Sequence, residues 1–213
     1  MRNTIFYLIE DLAFLPVQIL IVTFIIQKFL DVRNKRERMR KIHVVINVFF
    51  SEAGTDCMLA MSEFVDNFKD IKQSVLIKQE WNTIDFENSI REVKYFNYSF
   101  KSIPEKLHDL NQLLISKRQF MLSLFSNQNL LEHDEFTDML WAVFHIADEL
   151  HHRDKYNDTT DENFEHILLD VKRAYPLILV EWLHYMQNIK TNYPYLYGFS
   201  IKNNPFEQTI ILL

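Results

Sequence analysis

Residues Leu12–Leu30 read LAFLPVQILIVTFIIQKFL and are apolar on every face of a helix. Their only charged side chain is Lys28, near the end, where its aliphatic stem can carry the ammonium group out to water. At 1.5 Å per residue the segment would span about 28 Å, close to the hydrocarbon thickness of a bilayer. A core helix of a soluble protein usually has a polar stripe. The segment therefore predicts one transmembrane helix.

A strongly basic stretch comes directly after this segment. Residues 28–41 carry +5 of a net charge of −6, so the rest of the chain carries −11. The expected location is the cell (inner) membrane. The positive-inside rule then places the C-terminal part in the cytosol and the N-terminus on the outer side. Nucleic-acid binding is not expected, because it requires positive charge spread over a folded face. The topology residues are Lys28 and the members of a basic collar at 32–41, namely Arg33, Lys35, Arg36, Arg38, Arg40 and Lys41.

Three polar residues of the N-terminal segment share one side of a helical wheel. At 100° per residue, Tyr7, Asp11 and Gln18 fall near one line. Such a stripe could form a seam between helices of a homo-oligomer or line a pore. Alternatively, Glu10 and Asp11 mark the outer water boundary and Gln18 is merely tolerated in the apolar segment.

The composition of the whole chain favours an all-α fold. Only two glycines and five prolines occur in 213 residues, whereas sheet-rich nucleotide-binding folds need glycine at turns and phosphate loops. Cys57 is the only cysteine, so an intramolecular disulfide and a CxxC metal motif are both excluded. It lies in an apolar run and is expected to be a small buried hydrophobe.

Apolar periodicity predicts a bundle of four to five helices after the collar. The first runs from about Arg33 to Phe68 and includes Gly54. A glycine inside a helix lowers its stability by about 1 kcal/mol relative to alanine, and close approach of another helix is expected to offset this cost. A second is expected over 83–99, and a third after a capping box, Ser102 with Glu105. His151–Thr160 is expected to be a loop between the last two helices, which cover about 136–150 and 164–190. The predicted divisions are an N-terminal segment with the anchor (1–31), the basic collar (32–41), the bundle (42–190) and an aromatic C-terminal segment (191–213).

Two E-x-x-H motifs carry the sharpest chemical hypothesis. Di-iron carboxylate bundles of the ferritin-like kind use paired motifs of this form, with two further carboxylates. With Val143 in the core, however, His152 would point about 180° away and Glu149 about 120° away, whereas metal ligands must project inward. No cofactor is therefore predicted, and the metal site is kept only as an alternative. Its ligands would be Glu149, His152, Glu181 and His184, with Glu52 and Glu135 as further carboxylates.

Glu181 stands out by itself. It lies in an apolar run from Ala174 to Leu183, so its carboxylate is expected to be at least partly buried. A buried acid of this kind is either paired with an Arg or Lys of a neighbouring helix or has a functional role. A nucleophilic, Walker or GxGxxG pattern is not present, so no catalytic residue is assigned.

The sequence therefore favours a non-enzymatic helical module, anchored in the lipid bilayer, that self-associates or docks a cytosolic protein partner. A homo-oligomeric pore lined by the N-terminal helix is the first alternative. A membrane-bound di-metal protein is the second.

Overall fold

The computed structural model describes the backbone of residues 2–128, 130, 133–156 and 161–208, and the side chains of 13–128, 130, 133–152 and 165–207. Within these residues all regular structure is helical, apart from an isolated bridge between Val65 and Phe100. The predicted all-α class is confirmed. The chain forms two compact units, residues 1–41 and residues 42–213.

The helices range in length from 48 residues to four residues. Proline occupies the first position of both α5 and α8, where its missing N–H costs no hydrogen bond. The elements in chain order are α1 (Arg2–Phe49), a π-helical turn (Phe50–Gly54), α2 (Thr55–Ser62), α3 (Phe68–Val75), α4 (Thr83–Tyr95), α5 (Pro104–Phe125), α6 (Asp134–Tyr156), α7 (Asp161–Asn192), α8 (Pro194–Lys202) and α9 (Pro205–Gln208).

The first unit exposes its apolar side chains. Its helix is long and apolar enough to cross a membrane by length and composition. In its most apolar stretch of 18 residues, no residue is buried. Leu20 is 69% exposed and Phe29 is 72% exposed. The collar residues are exposed as well, and Lys41 Nζ lies 3.9 Å from Glu37 Oε1 one turn away.

The predicted helix from Arg33 through Gly54 continues to Ser62, but it contains a π-helical turn and ends six residues before Phe68. The α-helical pattern stops at Phe49 and widens into the π-helical turn, where both the backbone N–H and the Oγ1 of Thr55 donate to the carbonyl of Phe50. Helix α2 then ends at Ser62. The three atoms nearest to a methyl group added at Gly54 belong to the rings of Phe49 and Phe50 in the same segment.

Helix α7 lies at the centre of the second unit. It packs against α6, α4, α2 and α8, while α5 packs against α6 and α2. Its inward face is mostly apolar and includes Tyr175, Ile178 and Trp182, but it also buries the acids Asp170 and Glu181. The Cys57 thiol is also buried, and burial raises its pKa to about 12, so it is a core residue and not a reactive group.

Two further boundaries differ from the predicted ones. The capping box at Ser102 does not form, because the residue that precedes α5 is Ile103, which makes no side-chain cap. The residues after His151 continue α6 to Tyr156 instead of forming a loop. The aromatic segment 191–213 contains α8 and α9. Thr159 and Glu162 also have the spacing of a capping box, but they lie outside the described side chains.

Candidate functional site

Helices α6 and α7 form a packed pair that carries two groups of histidine and carboxylate side chains. The start of α6 meets the second half of α7, where Glu135, Glu181 and His184 place their ligand atoms within 4.8 Å of one another. Further along, His145 and Glu149 of α6 meet Asp170 of α7 in the same way. Glu135 and Glu149 are 14 positions apart, so the two groups lie about 21 Å from each other along α6.

The second group gains a fourth member, His166, and we call it the histidine–carboxylate cluster (His145, Glu149, His166, Asp170). Each helix contributes one histidine and, four residues later on the same face, one acid. His166 Nδ1 lies 3.1 Å from Glu149 Oε1 and 3.7 Å from Asp170 Oδ2. His145 Nε2 lies 3.5 Å from Asp170 Oδ2 and 4.0 Å from Glu149 Oε2.

The cluster has buried acids and an open mouth. The side chains of Asp170 and Glu149 are 4% and 16% exposed, whereas those of both histidines are about three-fifths exposed. Burial, followed by a hydrogen bond with Glu149, raises the pKa of Asp170. Two carboxylates that face each other in this way need a proton or a cation between them. Arg173 Nη1 lies 3.4 Å from Asp170 Oδ1, on the other oxygen of that carboxylate.

Glu181 dominates the first group, which we call the Glu181 cluster (Glu135, Glu181, His184). Its side chain is buried, with the residue 2% exposed, and its Oε1 makes no hydrogen bond within the described part of the chain. Burial, and then the neighbouring charge of Glu135, raises the pKa of Glu181 to about 8. The pKa of His184 is lowered, mainly by burial. The Arg or Lys that was expected to pair with Glu181 is not found in an ion pair with it among the described residues.

The structure separates the four residues that the E-x-x-H hypothesis grouped. Glu149 belongs to the histidine–carboxylate cluster, and Glu181 and His184 belong to the Glu181 cluster. His152 is exposed and contacts Asp148, with Nδ1 3.7 Å from Asp148 Oδ2. Of the two further carboxylates, Glu135 does approach Glu181, whereas Glu52 is exposed in the π-helical turn. These residues do not form one di-metal site.

In the first unit, the proposed seam residues can be traced only in part. Gln18 is exposed within the apolar helix. The side chains of Tyr7 and Asp11 lie outside the described residues, so the stripe remains a prediction.

Two family models cover most of this chain. The model described as "Uncharacterized protein MJ1433, C-terminal helical domain" matches residues 38–202, and "MJ1433, N-terminal helical domain" matches residues 1–30. The chain belongs to the MJ1433 family. It is 34% identical over 207 residues to "Uncharacterized protein MJ1433" of Methanocaldococcus jannaschii, covering 97% of this chain and 83% of that protein. No solved structure matches the chain.

The two MJ1433 domains correspond to features described above. The N-terminal helical domain contains the exposed apolar segment, and the C-terminal helical domain contains both clusters. The unmatched interval 31–37 includes the first half of the basic collar.

Sequence reasoning missed the histidine–carboxylate cluster, although a signal was present. His145 with Glu149 and His166 with Asp170 are both histidine–acid pairs at i, i+4 spacing. A search for this spacing would have found each pair. That the two pairs face each other depends on the register between α6 and α7, which neither helix encodes by itself.

Proposed function

We propose that this member of the MJ1433 family is a single-pass membrane protein that holds an all-helical domain at the cytosolic face of the cell membrane. The observation that carries the proposal is the unburied apolar surface of the first unit, which includes Leu20, Phe24 and Phe29. Soluble monomers rarely expose apolar patches beyond a few hundred Å², whereas a bilayer solvates such a helix fully and its backbone is already hydrogen-bonded.

The orientation is inferred from charge. The exposed basic collar would lie beside the inner leaflet, where anionic headgroups attract each Lys or Arg by about 1 kcal/mol. Positive side chains at this place also oppose translocation of the polypeptide on their C-terminal side. The helical domain would then be cytoplasmic and would act by binding a partner, with residues 42–190 as its bundle of four to five helices.

Removing residues 1–41 is expected to move the protein from the membrane pellet to the supernatant. Residues 42–213 keep their own core when the apolar helix is gone, so the fragment should be soluble and helical by circular dichroism. Replacing residues 12–30 by polyleucine of equal length should restore sedimentation, because apolarity and length suffice for insertion. Full-length protein that remained in the supernatant after ultracentrifugation would refute the anchor.

Reporter fusions at the two termini test the predicted orientation in the membrane. A reporter that is active only in the cytosol should work after Leu213 and fail before Met1. Changing Arg33, Lys35, Arg36, Arg38 and Arg40 to Glu should mix the two orientations. If the orientation stayed uniform, the collar would not set it.

Self-association is the second part of the proposal, and Gln18 supports it. Its amide is exposed in the middle of the apolar helix, where lipid cannot satisfy its hydrogen bonds. Amides in this position bond to a neighbouring transmembrane helix, with a gain of about 1 kcal/mol. A second copy of the same helix presents the same group.

Light scattering of the detergent-solubilised chain should therefore give the mass of an oligomer, and Gln18→Leu should shift the particle towards monomer. Val17→Leu, a neighbouring apolar exchange, is the control and should leave the mass unchanged. A closed ring would favour the pore alternative. Wild-type monomer would exclude both the pore and the self-association.

A further inference from the structure

The donor atoms of the histidine–carboxylate cluster lie close enough together to be drawn around one metal ion. Four ligand atoms placed about 2.1 Å from a tetrahedral ion lie about 3.4 Å from one another. The four nitrogen–oxygen distances in the cluster run from 3.1 to 4.0 Å. Both oxygens of Glu149 take part in these distances, and one ligand atom from each of His145, Glu149 and Asp170 lies within 4.8 Å of the others, so a bound ion would draw the side chains closer together.

Helical geometry explains why the donors converge. His145 and Glu149 are one turn apart on α6, and His166 and Asp170 are one turn apart on α7, so each pair presents both donors on one face. Since α6 and α7 pack against each other, the two faces meet. Two rigid helices thus place two imidazoles and two carboxylates around one point.

Asp170 provides an independent indication of a ligand. Its carboxylate is nearly fully buried, and its Oδ2, which lies nearest both histidines, accepts no hydrogen bond among the described residues when it is ionised. The other oxygen, Oδ1, is held by Arg173, in the way that outer hydrogen bonds fix metal-binding carboxylates. Burial of an ionised oxygen without a hydrogen bond is costly, and a bound cation would offset that cost.

We propose that His145, Glu149, His166 and Asp170 bind one divalent first-row transition-metal ion, with Zn²⁺ as the representative. Imidazole with carboxylate suits Zn²⁺ and its neighbours, whereas Mg²⁺ and Ca²⁺ take oxygen ligands. The exposed edges of both histidines give the ion a path from solvent. A bound ion would cross-link α6 to α7 within the helical domain.

Calorimetric titration of the purified, chelator-treated full chain with Zn²⁺ tests the site. The titration is run at about pH 7.5, since histidine binds a metal ion as the neutral imidazole. We expect uptake of one ion per chain that excess Mg²⁺ does not prevent. His145→Ala and His166→Ala should each weaken binding by at least about 100-fold, since loss of even an outer contact costs about 10- to 100-fold.

His152→Ala is the matched control. His152 is as exposed as His145, lies on the same helix and contacts one carboxylate, that of Asp148, at 3.7 Å. This variant should bind Zn²⁺ like the wild type. Absence of uptake by the wild type would show that the cluster is a set of ion pairs only. Unchanged binding by the His145 and His166 variants, or equal loss in the His152 variant, would also overturn the proposal.

A measurement on the unmodified chain removes any dependence on how the variants fold. Diethyl pyrocarbonate modifies exposed imidazoles, and peptide mass spectrometry locates the modified residues. Zn²⁺ should protect His145 and His166 while leaving His152 reactive. Equal modification of all three with and without Zn²⁺ would contradict the site.

Discussion

Glu181→Gln is expected to stabilise the helical domain at alkaline pH while changing its stability little near pH 5. The carboxyl is buried beside Glu135 and lacks a cation partner among the described residues. At low pH it is protonated and neutral, as glutamine is. At high pH only the wild-type protein must bury a charge or unfold to expose it.

The direction is set by the two pKa values of Glu181. Its pKa is 4.5 in the unfolded chain and about 8 in the folded one, so the folded state holds the proton more tightly. The stability that it contributes is fully present below pH 4.5 and is lost as the pH rises through about 8. The loss between pH 5 and pH 9 should be roughly 4 kcal/mol, since each pKa unit corresponds to about 1.4 kcal/mol.

Comparing the variant with the wild type isolates Glu181 from its neighbours. His184 has a lowered pKa and loses stability in the opposite direction, as the pH falls, but it is present in both proteins. Denaturant midpoints of the 42–213 fragment at pH 5 and pH 9 give the difference. Glu165→Gln, an exposed acid on the same helix, should change stability by less than about 0.5 kcal/mol at either pH. A Glu181→Gln effect that did not vary with pH would mean that Glu181 is ionised and partnered throughout.

Substitutions at the two glycines of the chain should have opposite signs. A methyl group on Gly54 would lie 2.5 Å from Cε1 of Phe49 and 2.8 Å from Cδ1 of Phe50. Both rings are buried, and they are held by edge-on contact with Phe136 and by stacking on Tyr185, respectively. Overpacking of this kind costs about 1–3 kcal/mol, more than the roughly 1 kcal/mol of helix propensity gained.

We therefore expect Gly54→Ala to lower the free energy of unfolding by about 1–2 kcal/mol, and Gly54→Val to lower it further. Gly198, inside α8, has no atom within 4 Å of an added methyl group, so Gly198→Ala should be neutral or stabilise by up to about 1 kcal/mol. Urea unfolding of the same fragment measures all three variants. A stabilising Gly54→Ala would show that the two rings move aside at no cost.

The helical class was predictable because its signals are local. Scarce glycine and the 3.6-residue periodicity in Phe136–Leu150 and Phe164–Met186 reflect single helices and their own buried faces. The break after Ser62 was not predictable in this way. Phe64 and Val65 are buried and continue the apolar pattern, while the backbone there bonds to a distant segment, with Asp66 N–H donating to Ser99 and Lys101 N–H to Phe64.

Prediction of the candidate sites is limited in the same way, because contacts between two helices cannot be read from either helix alone. The burial of Glu181 is implied by its apolar neighbours along one helix, whereas its approach to Glu135 depends on how α6 lies against α7. A cation is the usual partner of a buried acid, so one was expected beside Glu181. In the fold, a second acid, Glu135, lies nearby instead. His152 does not join either cluster, because α6 continues beyond it and the His152 side chain lies on the exposed face of that helix.

The π-helical turn at Phe50–Gly54 keeps one face of the chain directed at the core. Two columns of buried side chains pass through it at a spacing of four, Phe49–Ala53–Cys57–Met61 and Phe50–Gly54–Met58–Ser62. In a regular α-helix a spacing of four drifts by about 40° per step, or about 120° over three steps, which would rotate the columns away from the core. The wider turn accommodates one extra residue and corrects that drift. Removing a single residue from Phe50–Gly54 would therefore restore an ordinary helix while keeping Ile42 and Ile46 aligned with the buried side chains of α2.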